Sequence, residues 1–239
     1  MRVAAKASCQ WWHVQSLNPQ RRLVLALGGA FTFQALGSLA EAAAPRGGIK
    51  PALVVNCAAL GAAELCGDSS MQPVRGTLVL VRCPGVSHVY SDESWGGPAL
   101  TYIVPKGGDV VACAGCAEPG ATSLTVDADE AAAVLRRCAA LLPALRDAPV
   151  LSTWAGLRPV RAAAAGGVRL ELERGATPVV HNYGHGGSGV VVSWGCAADV
   201  ALLAAAAAAK GGAGALAPRR LPAAMACGLP PLTAALARL

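Results

Sequence analysis

The chain has 239 residues, enough to bury a sizeable core as one large or two small domains. With 54% hydrophobic and 14% charged residues it is not a disordered polymer, and alanine carries much of the apolar excess, with no run of about 18 uncharged apolar residues to span a membrane. The net charge of +6 comes from scattered arginines alongside only 4% aromatics, so there is no basic stripe interleaved with stacking side chains and no nucleic-acid partner is expected.

Residues 1–22 carry Arg2, Lys6, Arg21 and Arg22 with no acid before Glu41, and Trp11-Trp12 adds an apolar pair. An organellar transit sequence, an unstructured leader and a segment of unusual origin all stay open for this stretch. From Leu23 a short helix is expected to run into Gly28-Gly29, followed by a short strand over Ala30–Phe33. Ser38 suits the N-cap of a helix over Leu39–Ala44, which Pro45 and Gly47-Gly48 stop. Ala52–Cys57 is a continuous apolar run of strand length, the pattern of a buried parallel strand whose C-terminal end faces a ligand.

Gly76–Val81 alternates as a strand, and Ala99–Val104 and Asp109–Ala114 read as antiparallel partners joined by a turn at Pro105-Lys106-Gly107-Gly108. Helical spacing over Asp127–Leu142 ends at Pro143. Val168–Glu173 alternates again, and Pro178-Val179-Val180 reads as the end of a buried strand. A helix is expected from Val190 through Ala209, stopping at Lys210-Gly211-Gly212, and the Ala- and Pro-rich tail from 213 to 239 is expected to be loosely structured.

Nine cysteines, odd in number and irregular in spacing, point to reduced thiols rather than a disulfide framework. Cys113-Ala114-Gly115-Cys116 is the one C-x-x-C; without a second pair at ligand spacing it is read as small residues at a strand end, and no metal is assigned.

Between the strand ending at Val180 and the following helix stands His181-Asn182-Tyr183-Gly184-His185-Gly186-Gly187-Ser188-Gly189, with Trp194-Gly195-Cys196-Ala197 beyond it. Glycines there let bare backbone approach a flat or anionic group, while a helix N-terminus presents N–H groups and partial positive charge. His181 and His185 are the acid–base candidates in this stretch. Arg158, held extended before Pro159, offers a planar fork that suits a carboxylate.

The string His-Asn-Tyr-Gly, Gly-Gly-x-Gly and Trp-Gly-Cys-Ala resembles the C-terminal signature of the D-amino acid oxidase family of FAD flavoenzymes, which includes D-aspartate oxidase. Upstream, Arg158-Pro159-Val160-Arg161, Tyr102-Ile103-Val104-Pro105, Gln72-Pro73-Val74-Arg75-Gly76 and Val54-Val55-Asn56-Cys57 resemble further blocks of the family in the same order. The resemblance implies a mixed α/β fold in which the remnant of a Rossmann-like FAD-binding domain adjoins an antiparallel substrate-domain sheet. It implies substrate contacts from Tyr102, Arg158 and Gly187, and cofactor contacts from Ala58, Gly186, Gly187, Ser188, Gly189, Val190 and Val191. It also implies FAD as cofactor, a D-amino acid and O2 as reactants, and a homodimer as an assembly open to the chain. The family's chemistry is direct hydride transfer from substrate to flavin, so no catalytic base is assigned.

Several positions depart from the family pattern. Pro98 replaces a second active-site tyrosine, Ala58-Ala59 stands where many members have Thr-Gly, and Thr77 where Gln often occurs. The family's N-terminal strand–G-x-G-x-x-G–helix unit is read as absent, Gly28-Gly29 lacking its spacing.

The expected organisation is an unmatched leader at 1–22, a partial FAD-binding domain at 23–76, a mostly substrate-binding domain at 77–175, a returning strand–loop–helix at 176–212 and a tail at 213–239. Two functions follow: oxidation of a D-amino acid to a 2-oxo acid, ammonia and hydrogen peroxide, or an inactive truncated fragment of such an oxidase. Ala237-Arg238-Leu239 fits a permissive peroxisomal address, with the cytoplasm as the alternative.

Overall fold

In the computed structural model, which describes residues 2–4, 12–92 and 100–210, the chain begins β1 (Arg2–Ala4), α1 (Trp12–Ala26), β2 (Ala30–Thr32), α2 (Leu39–Ala43), β3 (Val54–Asn56) and α3 (Ala62–Cys66). Then follow β4 (Met71–Arg82), β5 (Tyr90–Asp92), β6 (Thr101–Gly107), β7 (Val110–Ala114), β8 (Glu118–Pro119) and α4 (Ala128–Leu141). The last elements are β9 (Val150–Arg161), β10 (Arg169–Glu173), β11 (Val179–Tyr183) and α5 (Ser193–Lys210). Pro98 and the tail with Ala237-Arg238-Leu239 lie outside the described residues.

β4 is the axis of a six-stranded antiparallel sheet. One of its edges pairs with β9 from Met71↔Arg161 to Val81↔Val150, and its other edge pairs with β7 and β8. β6 and β5 extend the sheet beyond β7. Because strand side chains alternate, Val79 and Val81 turn to one face and are fully buried under α4 with Ile103, Val111, Cys113, Val134 and Cys138. α4 forms there because its apolar positions Ala131, Val134 and Cys138 recur every three or four residues, and Asp127 caps its start by accepting from the Glu130 N–H at 2.7 Å.

A second, three-stranded sheet has the order β10-β11-β3, with β10 and β11 antiparallel and β11 parallel to β3. Parallel and antiparallel pairs in one chain give the mixed α/β architecture expected. β1 and β2 form a separate parallel pair. Ser38 caps α2 as expected, accepting from the Glu41 N–H at 3.2 Å. The described cysteines are all free thiols, and no helix among the described residues is long and apolar enough to cross a membrane.

Some elements differ from their sequence pattern. The helix expected from Leu23 extends back to Trp12. The hairpin turn lies at Gly108 and Asp109 rather than at 105–108, both residues having positive φ, +57° and +62°, as a two-residue loop matching strand twist requires. The last helix begins at Ser193, not Val190: residues 186–188 form a 3-10 turn, and glycines followed by three β-branched valines are poor helix formers. β9 is a full strand that no alternation announces, since Gly156 and Pro159 interrupt it.

Candidate active site

β11 carries the motif strand into the site, and its alternation sorts the two polar residues at its centre. His181 turns inward and is fully buried, its Nε2 3.0 Å from Glu173 Oε2 and its Nδ1 3.2 Å from Asn56 Nδ2. Asn182 turns the other way, into a cleft of roughly 270 Å3 between the ends of β3 and β11 and the first turn of α5. Cys57, Ala59, Pro159, His185, Gly189 and Cys196 also line it. Two acid–base candidates of the sequence thus part company: His181 belongs to a buried network, and only His185 reaches the cleft. Burial lowers the His185 pKa, keeping its ring neutral at neutral pH.

The sheet register places Arg158 and Tyr102 on one face. Tyr102 pairs with Ala114, Ala114 with Leu78 and Leu78 with Trp154, while Arg158 pairs with Val74 on the same side, opposite α4. The Arg158 side chain crosses β4 over Gly76, where a Cβ would overlap the guanidinium nitrogens, so only glycine leaves this path open. Its Nη1 donates to the carbonyls of Cys116 at 3.1 Å and Arg75 at 3.3 Å. Those partners are neutral, so among the described residues no acid cancels its charge. Gly187 rests against its stem, a Cβ there lying 3.5 Å from Arg158 Cδ.

Of the residues read as cofactor contacts, Gly186 and Gly189 line the cleft, whereas Gly187 and Ser188 do not, and Val190 and Val191 are 61% and 85% exposed outside it. Ala58 stands beside it, its N–H donating to Asn56 Oδ1 at 3.1 Å. The next residue, Ala59, has φ +53°, a left-handed conformation that glycine adopts without strain. Gly184, at φ +90°, lets the loop press on β9, where a Cβ would come within 2.7 Å of Arg161 Cβ.

Sequence reasoning passed over Asn182 and Cys57 as site residues. Asn182 was legible by alternation from a buried His181. Its Oδ1 is buried without a hydrogen-bond partner, an acceptor left for a ligand's N–H. Gly184-His185-Gly186-Gly187-Ser188-Gly189 has the G-x-G-x-x-G spacing and stands between β11 and α5, but no strand follows α5 among the described residues to complete a βαβ unit, so it does not supply the family's N-terminal dinucleotide unit.

The loop is anchored from behind. Asp68 accepts from Tyr183 Oη at 2.8 Å, from Arg161 Nε at 2.8 Å and from the Ser70 hydroxyl, tying β11 to β9. The Ser70 hydrogen bond, then Arg161, holds the Asp68 carboxyl well below the usual carboxylate range, and burial pushes the Tyr183 phenol up to about 12. Cys116, Glu118 and Glu130 approach one another closely enough to suggest a cation, but the cation there is Arg75, whose Nη1 lies 2.9 Å from Glu118 and 2.6 Å from Glu130.

A mixed fold with a glycine-turn cleft beside an arginine that no acid pairs among the described residues marks this region as the candidate active site. Residues 15–203 match the DAO family of FAD-dependent oxidoreductases, and the chain belongs to it. It is 50% identical over 183 residues to a D-amino-acid oxidase of Rubrobacter xylanophilus, covering 75% of this chain and 52% of the relative. It is 45% identical over 190 residues to a D-amino-acid oxidase of Streptomyces coelicolor, covering 77% of this chain and 54% of that protein. The chain spans about half the length of these relatives. Its fold is similar to that of glycine oxidase from Geobacillus kaustophilus, with a TM-score of 0.54 and 29% identity, over 64% of this chain and 41% of that one.

The family's cofactor is FAD, and the cleft fits one end of it. Bare backbone at Gly186 and Gly189, an orphaned carbonyl at Asn182 and no acidic side chain among the lining residues suit a neutral, planar heterocycle with N–H groups. At roughly 270 Å3 the cleft is smaller than sites that enclose a drug-sized ligand, which begin near ~300 Å3, so it can hold only part of a dinucleotide.

Proposed function

We propose that this chain takes part in the FAD-dependent oxidative deamination of a D-amino acid, giving a 2-oxo acid, ammonia and hydrogen peroxide. The observation that carries the reading is Arg158: a guanidinium held only by carbonyls, with its Nε and Nη2 edge left for a carboxylate, beside the glycine loop. A bidentate grip there fixes the substrate's orientation, which is what a reaction without a side-chain base depends on. Tyr102, on the same face, supplies a second carboxylate contact, and the Gly187 carbonyl receives the amine. Ala58 and the 186–191 loop hold the flavin, whose bound chemistry is to accept two electrons from the substrate and pass them to O2. His185 stays neutral and adds no charge beside the ring.

A second reading is that the chain does not retain FAD by itself, favoured by the cleft volume. The test is the visible spectrum of the purified chain after incubation with FAD and gel filtration. A stoichiometric yellow protein that releases peroxide with D-alanine or D-aspartate is expected under the first reading. A colourless, inactive protein selects the second. The bacterial relatives support the cytoplasmic alternative and give the peroxisomal address no support. A homodimer is carried only by the resemblance and is checked by sedimentation.

A further inference from the structure

We propose that Cys196 is a peroxide-reactive thiol, with His185 as its proton acceptor and Cys57, which lines the same cleft, as the resolving thiol. Cys196 Sγ lies 3.4 Å from His185 Nε2, close enough for the thiol to donate to the ring, and Cys196 stands in the first turn of the 18-residue helix α5. The neutral imidazole beside it gives the thiol proton somewhere to go as the sulfur attacks. Cys57 lines the same cleft and is held at its wall by Asn182, whose Nδ2 donates to Cys57 Sγ at 3.7 Å. The unpartnered Asn182 Oδ1 offers a hydrogen-bond acceptor to a small hydroxylic molecule entering beside these sulfurs.

The other described thiols lack this combination. Cys83, Cys113 and Cys138 are buried in the core under α4, and Cys116 is buried with its Sγ accepting from the Thr77 N–H at 2.9 Å. Cys66 Sγ lies 3.9 Å from His181 Nδ1, but that ring nitrogen already faces Asn56 Nδ2 at 3.2 Å and its other nitrogen faces Glu173.

The chemistry balances with hydrogen peroxide as the oxidant. The Cys196 proton passes to His185 as the sulfur attacks one peroxide oxygen. An S–O bond forms, the O–O bond breaks, and the leaving oxygen takes the proton from His185 to depart as water. The sulfenic acid at Cys196 is then attacked by the Cys57 sulfur: the S–S bond forms, the S–O bond breaks, and a second water leaves with the Cys57 proton. Two thiols are oxidised and one peroxide is reduced. The resulting crosslink would join the end of β3 to α5 and close the cleft. Peroxide can be added from outside, so the inference stands or falls independently of whether the chain oxidises an amino acid.

The full chain is treated at pH 7 with limiting hydrogen peroxide, with and without dimedone, and mapped by non-reducing peptide mass spectrometry. The wild-type protein is expected to yield a Cys57–Cys196 crosslinked peptide. Cys57→Ser is expected to accumulate a dimedone adduct on Cys196 at about ten times the rate of Cys66, and His185→Gln to slow Cys196 about tenfold while leaving Cys66 unchanged. Oxidation of Cys196 no faster than Cys66 in the wild-type protein overturns the proposal, as does a sulfenic acid that forms first on Cys57.

Discussion

The Arg158 guanidinium lies on Gly76 so closely that a methyl group on that α-carbon would overlap its terminal nitrogens. The obstructed atoms are the far end of a flexible side chain, so Gly76→Ala moves the arginine instead of the sheet. The expected cost to stability is about 1–2 kcal/mol, from two lost hydrogen bonds to the carbonyls of the buried Arg75 and Cys116. The cost to carboxylate binding is larger, because a bidentate grip tolerates little misplacement: about a hundredfold in affinity for a D-amino acid. Calorimetric titration alongside urea unfolding separates the two effects. Unchanged affinity in Gly76→Ala would remove Arg158 from the binding site.

Arg75, next in sequence, has the opposite role. It is 4% exposed and fully engaged, with Glu118, both oxygens of Glu130, and the carbonyls of Ser123 and Thr125 around it. Its hydrogen bond pulls the Glu130 carboxyl below its ordinary range. Arg75→Met leaves Glu130, 21% exposed, and Glu118, 41% exposed, without their cation and is expected to cost about 2–3 kcal/mol, less than for fully buried acids because water screens both carboxylates. The urea midpoint should fall with the slope unchanged.

Ala59 occupies the left-handed region at φ +53°, at the turn that follows β3. A non-glycine residue there is strained by about 1–2 kcal/mol, partly offset by the lower entropy of alanine in the unfolded chain. Ala59→Gly is therefore expected to stabilise the protein by roughly 0.5–1 kcal/mol. Thermal unfolding decides it: a lower melting temperature for the variant would show that the turn is not held in this conformation.

The ease of reading these elements in the sequence follows their dependence on distant partners. α4 carries its own cap and apolar stripe, and β7 its own alternation, so both are local facts. β9 is not: Gly156, Arg158 and Pro159 spoil its pattern, one face carrying the Arg158 guanidinium across Gly76 of β4, and only pairing with β4 makes it a strand. The glycine loop could be read as a candidate ligand site because close backbone approach demands glycine. What lay beyond reach was its lining. Cys57 and Asn182 meet there through the parallel pairing of β3 with β11, across more than a hundred residues, and the crossing of Arg158 over Gly76 depends on the register of β9 against β4.

Asp68 sets how the protein responds to acid. Its carboxylate accepts from Ser70, from Arg161 and from Tyr183, and these hold its folded pKa below the ordinary value near ~4. A depressed pKa contributes stability that is complete above the unfolded value and is lost as pH falls through the folded one. His181 depresses Glu173, and Arg75 depresses Glu130, in the same direction, so stability should decline from about pH 5 downward. Asp68→Asn is expected to lower stability at pH 7 by about 2–4 kcal/mol, with the gap to the wild-type protein narrowing toward pH 2 as the unfolded wild-type chain takes up a proton that the folded carboxylate still excludes. On the alkaline side the raised Tyr183 phenol acts with the opposite sign: its contribution is present below about pH 10 and is lost as pH rises toward its folded value. Urea unfolding from pH 2 to 11 tests both limbs. Parallel curves for the two proteins in acid would mean that Asp68 carries no differential protonation and that the strut between β9 and β11 draws its strength from elsewhere.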